Sequence, residues 1–112
     1  MERIKRLNEY QVMAEEFAKY PKHCGVDYCI HGLTSEAGEV AGKWKKVIRD
    51  DGGELSDEVR LAILHEIGDV LWYVSQLAVE LQATLGAVAS MNIDKLTDRQ
   101  ERNKIGGSGD NR

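Results

Sequence analysis

Apolar residues recur along the chain at helical intervals. Leu7, Tyr10, Ala14 and Phe17 follow three-four-three spacing, one stripe of an amphipathic helix. The stripe predicts a helix from about Arg3 to Tyr20, with Pro21 as its stop. After a loop containing Gly25, a second helix is expected from about Tyr28 to Ile48, ended by Asp50-Asp51-Gly52-Gly53. Ser56-Asp57-Glu58 can cap a third helix, which carries Leu61, Ile67, Leu71, Val74, Leu77 and Leu81. That helix is apolar on more than one side, as expected at the centre of a bundle or at a subunit interface. Thr84 opens a fourth helix reaching to about Arg99 or Arg102. No stretch alternates with period two. The expected architecture is all-α, a four-helix-type bundle forming a single domain over residues 1–105. The closing Gly106-Gly-Ser-Gly-Asp-Asn-Arg112 has no apolar content and is expected to be a flexible tail.

Composition narrows the function. A chain of 112 residues suffices for one core, and a formal charge of −4 argues against a nucleic-acid binder with a basic face. No apolar run is long enough to span a bilayer, so no membrane partner is expected. The charged start, Met1-Glu-Arg-Ile-Lys-Arg, does not resemble a leader, which makes the cytoplasm the expected location. Cys24 and Cys29, flanked by His23 and His31, have some of the ingredients of a zinc clip. All four fall within nine residues, whereas structural zinc joins separated segments, so two reduced thiols are expected.

The chemistry lies in the acids. The second helix contains Glu36-x-x-Glu39 and the third Glu66-x-x-Asp69. Residues three apart share a helical face, so antiparallel neighbours can bring all four carboxylates together. Each pair interrupts an apolar stretch, where an ionised acid is costly unless its charge is cancelled. A hard divalent cation cancels it, and oxygen-only ligands suit magnesium, manganese or calcium. Solvated surface acids are the competing reading. A di-iron bundle is set aside, because it needs Glu-x-x-His and no histidine here has a glutamate three residues before it. Lys43 and Lys46 share the face of Glu36 and Glu39, where they can bind phosphate oxygens. Ala37, Val40, Ala41, Trp44, Val47 and Ile48 form the opposite stripe, which places Trp44 in the core or an interface. On the fourth helix, Asn92, Lys95 and Arg99 share a face suited to phosphate or a base.

These residues resemble the MazG-like family of all-alpha nucleoside triphosphate pyrophosphohydrolases. The resemblance rests on Glu36-Ala-Gly-Glu39-Val-Ala and Glu66-Ile-Gly-Asp69-Val-Leu-Trp-Tyr. It extends to Asn8-Glu-Tyr10-Gln, Tyr20-Pro21, Met91-Asn92-Ile-Asp-Lys95-Leu-x-x-Arg99 and the closing glycine-rich stretch, so it covers nearly the whole chain. Many members have a further glutamate before the first motif acid, where this chain has Ser35. The resemblance implies hydrolysis of a (deoxy)nucleoside triphosphate to monophosphate and pyrophosphate, in nucleotide-pool house-cleaning. The cofactor would be Mg2+, with Mn2+ as a substitute. Glu36, Glu39, Glu66 and Asp69 would be the ligands, and Glu39, then Glu36, the catalytic base. Lys95 and Arg99, with Lys43 and Lys46, would hold the polyphosphate, and Asn92 phosphate or sugar. Tyr73 and Gln76 would line the nucleotide pocket, and His31 would meet the base. Family members assemble as dimers or tetramers, so a homo-oligomer is expected. Two alternatives stand beside this reading: a phosphoribosyl-ATP pyrophosphohydrolase of histidine biosynthesis, and a non-catalytic helical interaction module.

Overall fold

A computed structural model describes residues 2–102; the tail from 106 to 112 lies outside the described residues. Four helices follow in order: α1 (Leu7–Glu15), α2 (Gly25–Asp50), α3 (Asp57–Glu80) and α4 (Leu85–Glu101). A 3-10 turn, Lys22–Cys24, leads into α2. The described residues contain no strand. Ser56 accepts the Val59 amide at 3.1 Å and Thr84 the Ala87 amide at 3.1 Å, so the expected caps open α3 and α4. After α2 the chain turns through Gly52 and Gly53, both at positive φ, with Gly53 N–H donating to the Val47 carbonyl.

α1 is shorter than its stripe suggests. It ends at Glu15, and Phe17 and Ala18 donate to the carbonyls of Ala14 and Glu15 in tighter turns. Leu7 and Phe17 are exposed, so only the middle of the predicted stripe packs. The buried polar residue on this helix is Gln11. Its amide donates to the Ala83 carbonyl and accepts the Leu85 amide, both at 3.0 Å. Asn8 accepts the Gly86 amide at 2.8 Å. α1 therefore satisfies the first free N–H groups of α4, of which the Leu85 amide would otherwise be a buried donor without a partner.

α2 and α3 form the main contact of the fold, and they run antiparallel. Gly25 faces Glu80, Gly32 faces Tyr73, and Lys43 faces Glu66, so positions rise on one helix as they fall on the other. The residues of α2 turned inward are Cys29, Leu33, Glu36, Val40, Lys43 and Val47. Those of α3 are Val59, Ile63, Glu66, Val70, Tyr73 and Leu77. Both rows follow four-three spacing, the seam of two helices packed at a shallow angle. This corrects the expected orientation of α2. The row containing the first acid is the packed face, while Ala37, Ala41, Trp44 and Ile48 are exposed. Trp44 is thus not in the core of the chain.

The end of the pair nearest α1 is locked by aromatic and polar contacts. Tyr20 stacks on Tyr28 at 5.2 Å, and Trp72 meets Tyr73 edge-on at 5.0 Å. The Trp72 indole donates to the Ala14 carbonyl at 3.0 Å. The Tyr20 hydroxyl donates to Glu80 at 2.6 Å and accepts from the fully buried Gln76 at 3.1 Å. Burial, and then the bond to Glu80, push the Tyr20 hydroxyl well above its ordinary value.

Candidate metal centre

Midway along the seam, the two helices bring acids together. Glu36, Glu66 and Asp69 each place a carboxylate oxygen within 4.8 Å of the others. Glu36 and Glu66 lie in the seam, and Asp69 stands one turn on, on its exposed shoulder. Glu39 holds the matching shoulder of α2. Because the helices are antiparallel and each second acid follows its first by three residues, both shoulders open on the same side. Glu39 lies outside the closest group of three.

The electrostatics are those of crowded anions. Like charges at 4.8 Å repel by about 3–4 kcal/mol at an effective dielectric of ~20, and by ~1 kcal/mol in bulk water. Burial pushes the Glu36 carboxyl above its ordinary range. The adjoining Glu66 carboxyl adds to the shift, as do the charges of Asp69 and Glu39. One cation answers directly: Lys43 Nζ lies 3.6 Å from Glu66 Oε1. The second oxygen of Glu66 is buried without a hydrogen-bond partner. A buried carboxylate oxygen with no donor is expensive, and the three carboxylates together supply only hard oxygen ligands. This donor set fits a magnesium- or manganese-type ion.

The other candidates spread out from this centre. Lys43 and Lys46, with Val47, Asp50, Asp51, Val59 and Ala62, line a recess of about 260 Å³ where α2 ends and α3 begins. Tyr73 is half-buried, packed over Gly32 and beside Tyr28 at 6.4 Å. Burial pushes its hydroxyl up, then the neighbouring Tyr28, with a smaller contribution from the Glu36 charge. Gln76 is fully buried behind it, so it belongs to the core rather than to a pocket wall. His31 is exposed, about 140° around α2 from Glu36 at helical pitch. Asn92 and Lys95 are exposed on α4 and Arg99 is buried there. Among the described residues α4 packs mainly on α1 and α3, and it meets α2 only across a recess lined by Leu33 and Val88, away from the acids. Cys24 and Cys29 are free thiols, and Cys29 is fully buried.

Tyr10 is the neighbour that the sequence reading missed. It is half-buried on α1 and shares a recess of about 280 Å³ with Ile4, Lys5, Arg6, Leu7 and Leu71. Burial raises its hydroxyl above the ordinary value, and the Asp69 charge adds to the rise. In the sequence it figured only in the apolar stripe of the first helix and in Asn8-Glu-Tyr10-Gln.

Comparison with known proteins bears on the same residues. The "Gene 37 protein" of Mycobacterium phage L5 is 45% identical over 109 residues, covering 92% of this chain and 96% of that protein. No solved structure matches the chain. A family model described as the MazG nucleotide pyrophosphohydrolase domain matches residues 26–103, which include both acid pairs and nearly all of α2, α3 and α4. An all-α fold whose two longest helices pair their acids at the centre of a seam, matched over that span, places the chain in the MazG nucleotide pyrophosphohydrolase family.

Proposed function

We propose that this protein hydrolyses (deoxy)nucleoside triphosphates to monophosphate and pyrophosphate with Mg2+, as a nucleotide-pool house-cleaning enzyme. The observation that carries the reading is the convergence of Glu36, Glu66 and Asp69 from two helices, with one Glu66 oxygen buried and unpartnered. These three acids, with Glu39, would hold the metal. Bound there, Mg2+ or Mn2+ would offset phosphate charge and polarise the phosphorus–oxygen bond that breaks.

The chain's own residues supply the remainder. Glu39 is exposed and outside the closest group, free to orient a water and take its proton as the water oxygen bonds to phosphorus. Glu36 is the second candidate for that role. The α–β anhydride breaks and pyrophosphate leaves. Lys43 and Lys46, which line one recess, would face the polyphosphate. Asn92, Lys95 and Arg99 would meet phosphate or sugar from α4. Because α4 packs mainly on α1 and α3, the substrate or a second copy would bring these residues to the acids. Tyr73, and more remotely His31, would border the nucleoside.

A homodimer or homotetramer fits this reading. Trp44, Ile48, Leu61, Leu64 and Ile67 are all exposed, a larger apolar surface than single scattered residues present. Light scattering at micromolar concentration should give a mass above that of one chain. No helix among the described residues is long and apolar enough to cross a membrane.

The deciding experiment measures pyrophosphate release from a panel of nucleoside triphosphates, with phosphoribosyl-ATP included, in Mg2+. Glu39→Gln and Asp69→Asn should each lower kcat by at least about a hundredfold, the scale of losing a base or a metal ligand. Intact turnover in both variants would remove the assigned site.

A further inference from the structure

Lys43 holds an unusual place for a lysine. It lies in the α2–α3 seam, two turns beyond Glu36, with its side chain only one-third exposed. A partner at ordinary helical spacing stands four residues earlier in Glu39. Lys43 instead crosses the seam, bringing Nζ within 3.6 Å of Glu66 Oε1. That separation makes an ion pair but exceeds hydrogen-bond length. Glu66 keeps its other oxygen buried and unpartnered. The lysine therefore neutralises Glu66 without saturating it, and Glu66 lies within 4.8 Å of both Glu36 and Asp69.

We propose that Lys43 is the built-in counter-ion of the acid cluster in the metal-free protein, surrendering Glu66 when a divalent cation is held there. Its ammonium is then available to a phosphate at the mouth of the recess it shares with Lys46. One side chain thus serves two anions in turn, Glu66 in the empty site and the polyphosphate in the loaded one. Two cations on one carboxylate repel each other, so metal binding works against the Lys43–Glu66 pair. Occupation of the cluster and release of the lysine are linked, and tight phosphate binding follows the metal rather than preceding it. The inference rests on the metal reading above.

The test titrates Mn2+ into nucleotide-free protein at low ionic strength, by calorimetry and by the paramagnetic signal of free Mn2+. Lys43→Met keeps the stem and removes the charge, and Lys43→Gln is a second neutral variant should methionine disturb the seam. Both should bind Mn2+ about tenfold more tightly than wild type, equivalent to ~1.4 kcal/mol. Both should melt at a lower temperature without metal. Lys43→Arg should match wild type in both measurements. Lys46→Met, which removes a nearby exposed charge, should tighten Mn2+ by less than about threefold, as screened surface charges do. With Mn2+ saturating, imidodiphosphate should bind Lys43→Met more weakly than wild type. Unchanged or weaker Mn2+ binding in both neutral variants would overturn the counter-ion role while leaving the metal site standing. Absence of Mn2+ binding in wild type would overturn the metal reading and this proposal together.

Discussion

Asp69→Asn removes one charge from the acid cluster with almost no change of shape. Asp69 offers an oxygen within 4.8 Å of both Glu36 and Glu66. Two such repulsions reach several kcal/mol at an effective dielectric of ~20 and about 2 kcal/mol in bulk water. Asp69 is exposed, so the screened end applies, and relief of about 1–2 kcal/mol is expected. The variant should therefore be more stable than wild type without metal, by a Tm shift of roughly 5–10 °C for a domain of this size. Thermal melts in EDTA, followed by millimolar Mg2+, check this. Wild type should gain Tm on adding Mg2+, and Asp69→Asn should lose most of that gain because a ligand is gone. High KCl should shrink the difference in EDTA. The pH dependence has a definite sign. Glu36 titrates above its unfolded value, mainly through burial and the adjoining Glu66 carboxyl, and Asp69 adds to the rise. Its contribution to stability is full in acid, below the unfolded pKa, and is lost as pH rises through the folded one. Metal-free wild type should gain from acidification through that range, and the variant should gain less. A lower Tm for Asp69→Asn in EDTA, or an undiminished response to Mg2+, would refute the reasoning.

Three structural predictions follow from the packing. Gln82 sits at φ 61°, closing α3 in the left-handed region with Ala83 N–H donating to the Ala78 carbonyl, so Gln82→Gly should stabilise by about 0.5–1 kcal/mol in denaturant unfolding. Gly32 has no room for a side chain, since a Cβ would run into the Tyr73 ring. Gly32→Ala should cost about 1–3 kcal/mol and weaken metal binding by displacing α3 against α2. Gln11→Leu should cost about 2–3 kcal/mol, because it leaves the Ala83 carbonyl and the Leu85 amide without their partner, and amide exchange at the start of α4 should accelerate.

Much of the site was legible because its chemistry follows helical spacing. Two acid pairs at i and i+3 required only a neighbouring pair of helices to meet, and Gly52-Gly53 made antiparallel neighbours of α2 and α3. Ser56 and Thr84 marked their helix starts through ordinary capping. The orientation of α2 was less readable. Polarity assigns charged residues to water and the stripe containing Trp44 to the core. The structure splits both faces: Val40 and Val47 of the apolar stripe pack inward with Cys29, Leu33, Glu36 and Lys43, while Ala37, Ala41, Trp44 and Ile48 are exposed with Glu39 and Lys46. That four-three repeat is present in the sequence, but it is hidden by the two charged residues it includes. Gln11 and Gln76 are hidden in the same way. A buried amide answers to a specific partner, Ala83 and Leu85 in one case and Tyr20 in the other, and partners this remote along the chain leave no mark on local periodicity.

Repulsion at the middle of a helix pair raises the question of why α2 and α3 do not splay apart. Both ends of the seam are fastened. At one end Tyr73 lies over Gly32, and the Glu80 carboxylate fits against Gly25 while held by Tyr20. At the other, Val47 is 1% exposed and the turn through Gly52 and Gly53 ties the helices covalently. Separating the acids would open one of these ends and expose apolar surface, at about 25 cal/mol for each Å² uncovered. Between fixed ends, Glu36 and Glu66 are held face to face. The cost of that proximity is borne by packing elsewhere, so binding a cation need not spend its energy on assembling ligands. The same logic accounts for Lys43. A preassembled cluster of acids with no metal needs a positive charge at hand, and a lysine at 3.6 Å, too far to hydrogen-bond, supplies one that can leave.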